Sequence, residues 1–279
     1  MGARVALRSH WPEYLIEGWA LGMFMISAGA FTALFEYPNS PVRQALADPT
    51  LRRALIGLAM GATAVALIYS PWGQRSGAHM NPAVTLSFLR LGKVKRWDAA
   101  FYIASQFIGG TLGVLLLAAL LGKAFTHPSV DYVVTMPGKQ GVAVAFVAEI
   151  AISCGMMLTV LWATSTPRLA RYTGVFAGIL VATYITVEGP LSGMSMNPAR
   201  TFASAAPAGE WQHLWLYFTA PVLGMLLATQ LHRALSSRRV SACAKLLHPD
   251  DVRCIHCGYD PARVVRSAIV NGSTQSRAT

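Results

Sequence analysis

Ser76-Gly77-Ala78-His79-Met80-Asn81-Pro82-Ala83-Val84-Thr85 and Ser192-Gly193-Met194-Ser195-Met196-Asn197-Pro198-Ala199-Arg200-Thr201 are two versions of one phrase. In each, Ser-Gly begins five residues before the Asn and a Thr stands four residues after it. Each phrase reads as a helix start. Asn is a favoured N-cap, because its side-chain oxygen accepts from the free N–H groups of the first turn. Pro suits the first helical position, where no N–H is needed and its fixed φ already fits. The first of these helices has room only from Pro82 to about Leu91, because Lys93-Val94-Lys95-Arg96 ends it. That is too short for a bilayer, which takes about 20 residues.

The rest of the chain is membrane-like. Hydrophobic residues make up 54% and charged residues 13%. A soluble domain carries about twice that charge. The apolar residues fall into blocks of spanning length, so the net charge of +11 is read as basic loops and tails rather than a nucleic-acid surface. The first block is too long for a signal peptide and has no small-residue cleavage site after it. The four Cys, one in a span and three in the tail, do not form a disulfide framework.

Spans are expected at 14–35, 54–70, 99–121, 141–162, 172–187 and 214–231. Each half of the chain then has three spans and one short helix. The first span of each half carries a single acid, Glu17 or Glu149. Spacings repeat: Gly61 to Asn81 is 20 residues and Gly178 to Asn197 is 19, while Asn81 to Gly109 is 28 and Asn197 to Gly224 is 27. Three spans per repeat is odd, so the second copy enters the membrane from the opposite side. Inverted repeats with broken helices are a transport architecture with its site at the bilayer midplane. Glycines four apart (Gly57 and Gly61, Gly109 and Gly113, Gly174 and Gly178) let helix backbones approach closely. If both termini are cytoplasmic, that side holds 17 of the 23 Lys and Arg, the arrangement favoured by the positive-inside rule.

Paired Asn-Pro-Ala phrases, the second ending in Arg200, with six spans and Glu17 and Glu149, resemble the aquaporin and glycerol-facilitator family (major intrinsic proteins) over residues 12–235. The resemblance implies an all-α membrane fold of six transmembrane helices and two re-entrant half-helices in inverted repeats, about 12–122 and 140–235. Residues 1–11 would be a cytoplasmic N-terminus and 236–279 a cytoplasmic tail. It also implies a homotetramer in the plasma (inner) membrane, each subunit with its own pore, and no enzymatic chemistry, cofactor or nucleic-acid partner.

The physics suits that expectation. Half-helix backbone is tolerated at membrane depth only against protein or a water-filled path. Two half-helices entering from opposite faces bring both positive N-termini to the midplane and raise the barrier for cations and protons. Asn81 and Asn197 would cap with their oxygens and offer N–H donors to the pore, beside Pro82, Ala83, Pro198 and Ala199.

Arg200 would line the outer constriction with Met194, a fifth-span residue (Ile185, or Tyr184 in a shifted register) and a second-span residue (Met60 or Gly61). Glu17 and Glu149 would each brace the loop leading to a half-helix. Glu188 is expected to hydrogen-bond the loop of the second phrase, the alternative being a pair with Arg200. His79 would show a polar edge to the cytoplasmic side of the pore.

Cargo signals conflict. A Met, Ile and Met lining lacks the polar wall of a narrow water filter, yet Thr201 stands where glycerol channels carry Asp, and Tyr217-Phe218 is aromatic as in water channels. The expectation is water, with leak of other small neutral solutes. The alternative is glycerol, urea, ammonia or hydrogen peroxide as main cargo. An ion-coupled transporter and a closed-pore scaffold are the rivals from other classes.

From Ser236 the chain turns polar and basic. Cys254-Ile255-His256-Cys257-Gly258 resembles half of a zinc ribbon, and Cys243 with His248 would complete four ligands. Their irregular spacing points instead to a tail without fixed structure, with 271–279 its least ordered part.

Overall fold

The computed structural model describes residues 2–235, 243–248 and 251–262. The architecture is carried by α1 (Ala3–Glu36), α2 (Pro49–Tyr69), α3 (Pro82–Arg90), α4 (Arg96–Leu121), α5 (Val142–Ser165), α6 (Thr173–Val187), α7 (Pro198–Ala208) and α8 (Leu214–Leu235). No strand occurs among the described residues. Among the described residues, six helices are long and apolar enough to cross a membrane: all of these except α3 and α7, with α6 extended back to Ala170 by a 3₁₀ turn. Their outward faces are apolar: Leu58, Ile108, Leu120 and Val147 are each 61–70% exposed. A water-soluble chain rarely exposes such a surface over so many helices.

The helix pairing repeats between halves. α1 packs on α4 and α5 on α8; α3 packs on α8 and α7 on α4; α2 and α6 pack on each other. Exchanging the halves maps this pattern onto itself, as an inverted repeat requires. The glycines make the close approaches. A Cβ on Gly109 of α4 would lie 2.0 Å from the carbonyl oxygen of Gly18 on α1. A Cβ on Gly61 of α2 would lie 2.5 Å from that of Gly178 on α6. In lipid, such backbone contact replaces the hydrophobic drive that holds helices together in water.

Two expectations are corrected. Residues 1–11 are not a separate segment: helix α1 begins at Ala3 and carries Pro12 within it. The reason is a polar cluster at the helix end, where His10 Nδ1 (2.8 Å) and Tyr14 Oη (2.6 Å) bond Asp98 Oδ1 on α4. The tail is also structured in part. Ala244 and Leu246 are buried in the main apolar core, and Ile255 packs with Tyr14 and Tyr102. The stretch 271–279 lies outside the described residues.

Candidate functional site

The two phrases form nearly identical loops. Ser70 caps a short helix, Pro71–Ser76, which ends on left-handed Gly77 (φ 105°). In the second half, the short helix Gly189–Ser192 ends on left-handed Gly193 (φ 78°). Beyond the glycine, Ala78 (φ 55°) and Met80 (φ 51°) match Met194 (φ 51°) and Met196 (φ 53°). Left-handed backbone costs a non-glycine residue about 1–2 kcal/mol, so something must hold it.

The carboxylates hold it. Glu17 accepts from Ser76 Oγ (2.7 Å), His79 N (3.0 Å), Met80 N (2.7 Å) and Gln106 Nε2 (2.9 Å). Glu149 accepts from Ser192 Oγ (2.8 Å), Ser195 N (2.6 Å) and Met196 N (2.8 Å). Tyr102 Oη donates to Ser76 O (2.7 Å), and Tyr217 Oη donates to Ser192 O (2.6 Å). The Thr four residues after each Asn reaches back to the residue two before it. Thr85 Oγ1 lies 3.0 Å from His79 Nδ1, and Thr201 Oγ1 bonds Ser195 Oγ.

At the centre the two caps are crossed. Asn81 Oδ1 accepts from Ala83 N (2.8 Å), and Asn81 Nδ2 donates to Met196 O (2.7 Å). Asn197 Oδ1 accepts from Ala199 N (3.1 Å) and Arg200 N (3.2 Å), and its Nδ2 donates to Met80 O (2.7 Å). So one N–H of each amide is held by the opposite loop, and a second N–H remains on each to offer to the cavity. Both Asn line a cavity of about 350 Å³. Pro82, Ala83, Pro198 and Ala199 are buried behind them as the first turns of α3 and α7.

The cavity lining includes Met60, Ile185, Met194 and Arg200. Arg200 Nη1 donates to Val133 O (2.8 Å). Val133 presents that carbonyl from φ 54°, an unusual conformation for a β-branched residue. Gly61 does not line the cavity, because it faces the Gly178 backbone. Tyr184 does not line it either; Ile185 does. Glu188 fills neither expected role. It is buried, and neither carboxylate oxygen has a hydrogen-bond partner among the described residues. Ser192, close enough to act on that carboxylate, gives its hydroxyl to Glu149.

The profile of the major intrinsic proteins matches residues 8–232. The chain belongs to the major intrinsic protein family. Aquaporin NIP2-3 of Zea mays is 33% identical over 237 residues, covering 84% of this chain and 75% of the relative. NIP7-1 of Arabidopsis thaliana, also 33% identical, matches over 177 residues, 62% of that relative's length. In fold, the chain is similar to the aquaglyceroporin from Plasmodium falciparum, with a TM-score of 0.69 at 17% identity, over 81% of this chain and 97% of that one. Family membership and the six apolar helices make this an integral multi-pass membrane protein, and the chain spans about three-fifths of the length of the first curated relatives it matches.

Two parts of the cavity lining carry little sequence signal. Arg53, on α2, also lines the cavity and donates from Nε to Thr186 O (2.9 Å). Its sequence signal was slight, a basic pair at the start of a span. The lining also includes His79, which lies beyond the end of α2 remote from Arg53, and Leu246 from the tail. His79 Nε2 lies 2.8 Å from Ala244 O, so the polar edge expected to face water meets the tail.

The tail also gathers its ligand-type residues despite their spacing. Ligand atoms of Cys243, His248, Cys254 and Cys257 all lie within 4.8 Å of one another. The hydrogen bond between Cys243 and Cys254 holds the Cys254 thiol well below its ordinary pKa and pushes that of Cys243 up. Burial pushes His256 down to about 4, with His79 adding to the effect.

Proposed function

We propose that this channel passes water together with other small neutral solutes, passively, and excludes protons and ions. The observation that carries the reading is the crossed pair of caps in the cavity, Asn81 to Met196 O and Asn197 to Met80 O. It sets the N-termini of α3 and α7 against each other with one amide N–H of each Asn remaining. Aligned N-terminal dipoles, each roughly half a positive charge, oppose any cation there. A water oxygen accepting from these donors turns its hydrogens outward along the pore, which breaks a proton relay. Arg200 and Arg53 add fixed positive charge toward one mouth.

The channel unit at 12–235 is preceded by the first turns of α1, which begins at Ala3, and followed by an appended tail. The distribution of Lys and Arg favours both termini in the cytoplasm, with Arg200 then toward the outer mouth. Homotetramers in a plasma (inner) membrane follow the family pattern.

A second reading, glycerol, urea, ammonia or hydrogen peroxide as principal cargo, is favoured by one observation. Met60, Ile185 and Met194 line the cavity that Arg200 lines. Together they suit a solute with an apolar side and a hydroxyl side, and Met adapts its shape. Stopped-flow light scattering on proteoliposomes separates the two. Fast shrinkage in sucrose with slow recovery in glycerol supports water. Recovery in glycerol without fast water flow overturns it in favour of the second reading. Fluxes that respond to ionophores would instead indicate an ion-coupled transporter.

A further inference from the structure

We propose that Cys243, His248, Cys254 and Cys257 bind one zinc-class ion, and that this ion fastens segment 243–248 across the tail-side mouth of the pore as a metal-dependent stopper.

The donor geometry supports the ion. Cys243 Sγ lies 3.3 Å from Cys254 Sγ, and His248 Nε2 lies 3.2 Å from Cys257 Sγ. A disulfide needs about 2.05 Å. Two sulfurs on a tetrahedral zinc with bonds of about 2.3 Å sit about 3.8 Å apart, so a small expansion of this cluster makes a tetrahedron. Three thiol sulfurs with one imidazole select zinc over the hard, oxygen-seeking cations. Four protein ligands leave no open position, as in structural rather than catalytic zinc sites. The turn between two of the ligands is already formed: Gly258 N donates to Cys254 O (3.1 Å), Cys254 N donates to Tyr259 O (2.9 Å), and Gly258 takes φ 76°.

The same short segments touch the pore. Ala244, next to the first ligand, accepts from His79 Nε2. Leu246 N donates to Gly77 O (3.2 Å), and Leu246 lines the cavity while only 6% exposed. His256, between two ligands, stacks on His79 at 5.8 Å, with Nε2 3.2 Å from Ser76 O. The ligand cluster is therefore tied to the loop that carries Asn81. Stretches this small do not hold a fixed shape through apolar burial alone; a metal supplies the missing stability. Binding displaces the thiol protons and changes no oxidation state. The stopper half of the inference rests on the channel reading, whereas the metal half does not.

The test uses the full chain, purified with zinc present and then desalted. Metal analysis is expected to give one zinc per chain, and cobalt exchange the visible absorption of tetrahedral thiolate cobalt. Both are expected to be lost in Cys254→Ser/Cys257→Ser and kept in Cys154→Ser. In proteoliposomes, a membrane-permeant zinc chelator is expected to raise water permeability severalfold, reversed by added zinc. Leu246→Gly is expected to raise it with zinc still bound. A metal-free wild type, or thiol counting that finds Cys243 and Cys254 oxidised, overturns the site. Metal loss with unchanged permeability in a conducting channel overturns the stopper. If every form, Leu246→Gly included, passes no water, glycerol or urea, the channel reading falls and the stopper with it, while the metal analysis still decides the site.

Discussion

Replacing Glu149 by Ala removes the acceptor for Ser192 Oγ, Ser195 N and Met196 N at once. Each hydrogen bond to a charged group contributes about 1.5–3 kcal/mol. The loop recovers part of that loss, because Met194 and Met196 are then free to leave their left-handed backbone, at about 1–2 kcal/mol each. The net cost to the second loop is about 2–5 kcal/mol, allowing for these opposed contributions. Local opening in that range speeds exchange of the Ser195 and Met196 amides by about 30- to 5,000-fold. Hydrogen exchange with mass spectrometry, on detergent-solubilised wild type and variant, reads this directly. Protection of the equivalent amides at His79 and Met80 is expected to fall much less, because Glu17 still holds them. Unchanged protection at Ser195 and Met196 would refute the claim that the carboxylate restrains the loop.

Asn81→Asp keeps the cap oxygen but loses the donor to Met196 O and puts an acid into the cavity; it is expected to fold and to leak protons or cations, seen as faster pH-gradient decay in proteoliposomes. Gly109→Val places its Cβ against the Gly18 carbonyl, where neither backbone has room to yield, so the cost is expected to reach or exceed about 3 kcal/mol and to abolish monodisperse protein on size exclusion. Glu188→Gln removes an ionisable group from a buried position without a hydrogen bond among the described residues and is expected to raise the thermal midpoint, by about 2–4 °C for each kcal/mol relieved.

Much of this site is written locally. An Asn before a Pro announces a capped helix start, and both Asn residues cap as expected. Glu17 and Glu149 stood out because a lone acid in a long apolar block needs a polar partner, and the nearest unpaired donors belong to the loops. What escaped the sequence is contact through the backbone at long range. The carbonyls that accept from Asn81, Arg200 and His79 belong to Met196, Val133 and Ala244, and a carbonyl carries no side-chain signature. Glu188 misled for a related reason: its neighbour Ser192 had the right chemistry but a prior partner. The ligand spacing in the tail looked irregular because the intervening residues serve the pore mouth as well as the cluster.

The crossed caps carry a consequence for biosynthesis. Asn81 must find a carbonyl that follows it by 115 residues, so the ribosome delivers the partner only after most of the second half has been made. Until then the first half-helix has its own cap but lacks its counterweight, and the nascent first repeat must wait in the translocon or the lipid with a loop unmatched. Assembly is thus a single late event joining both halves, and a chain cut between them has no reason to mature halfway.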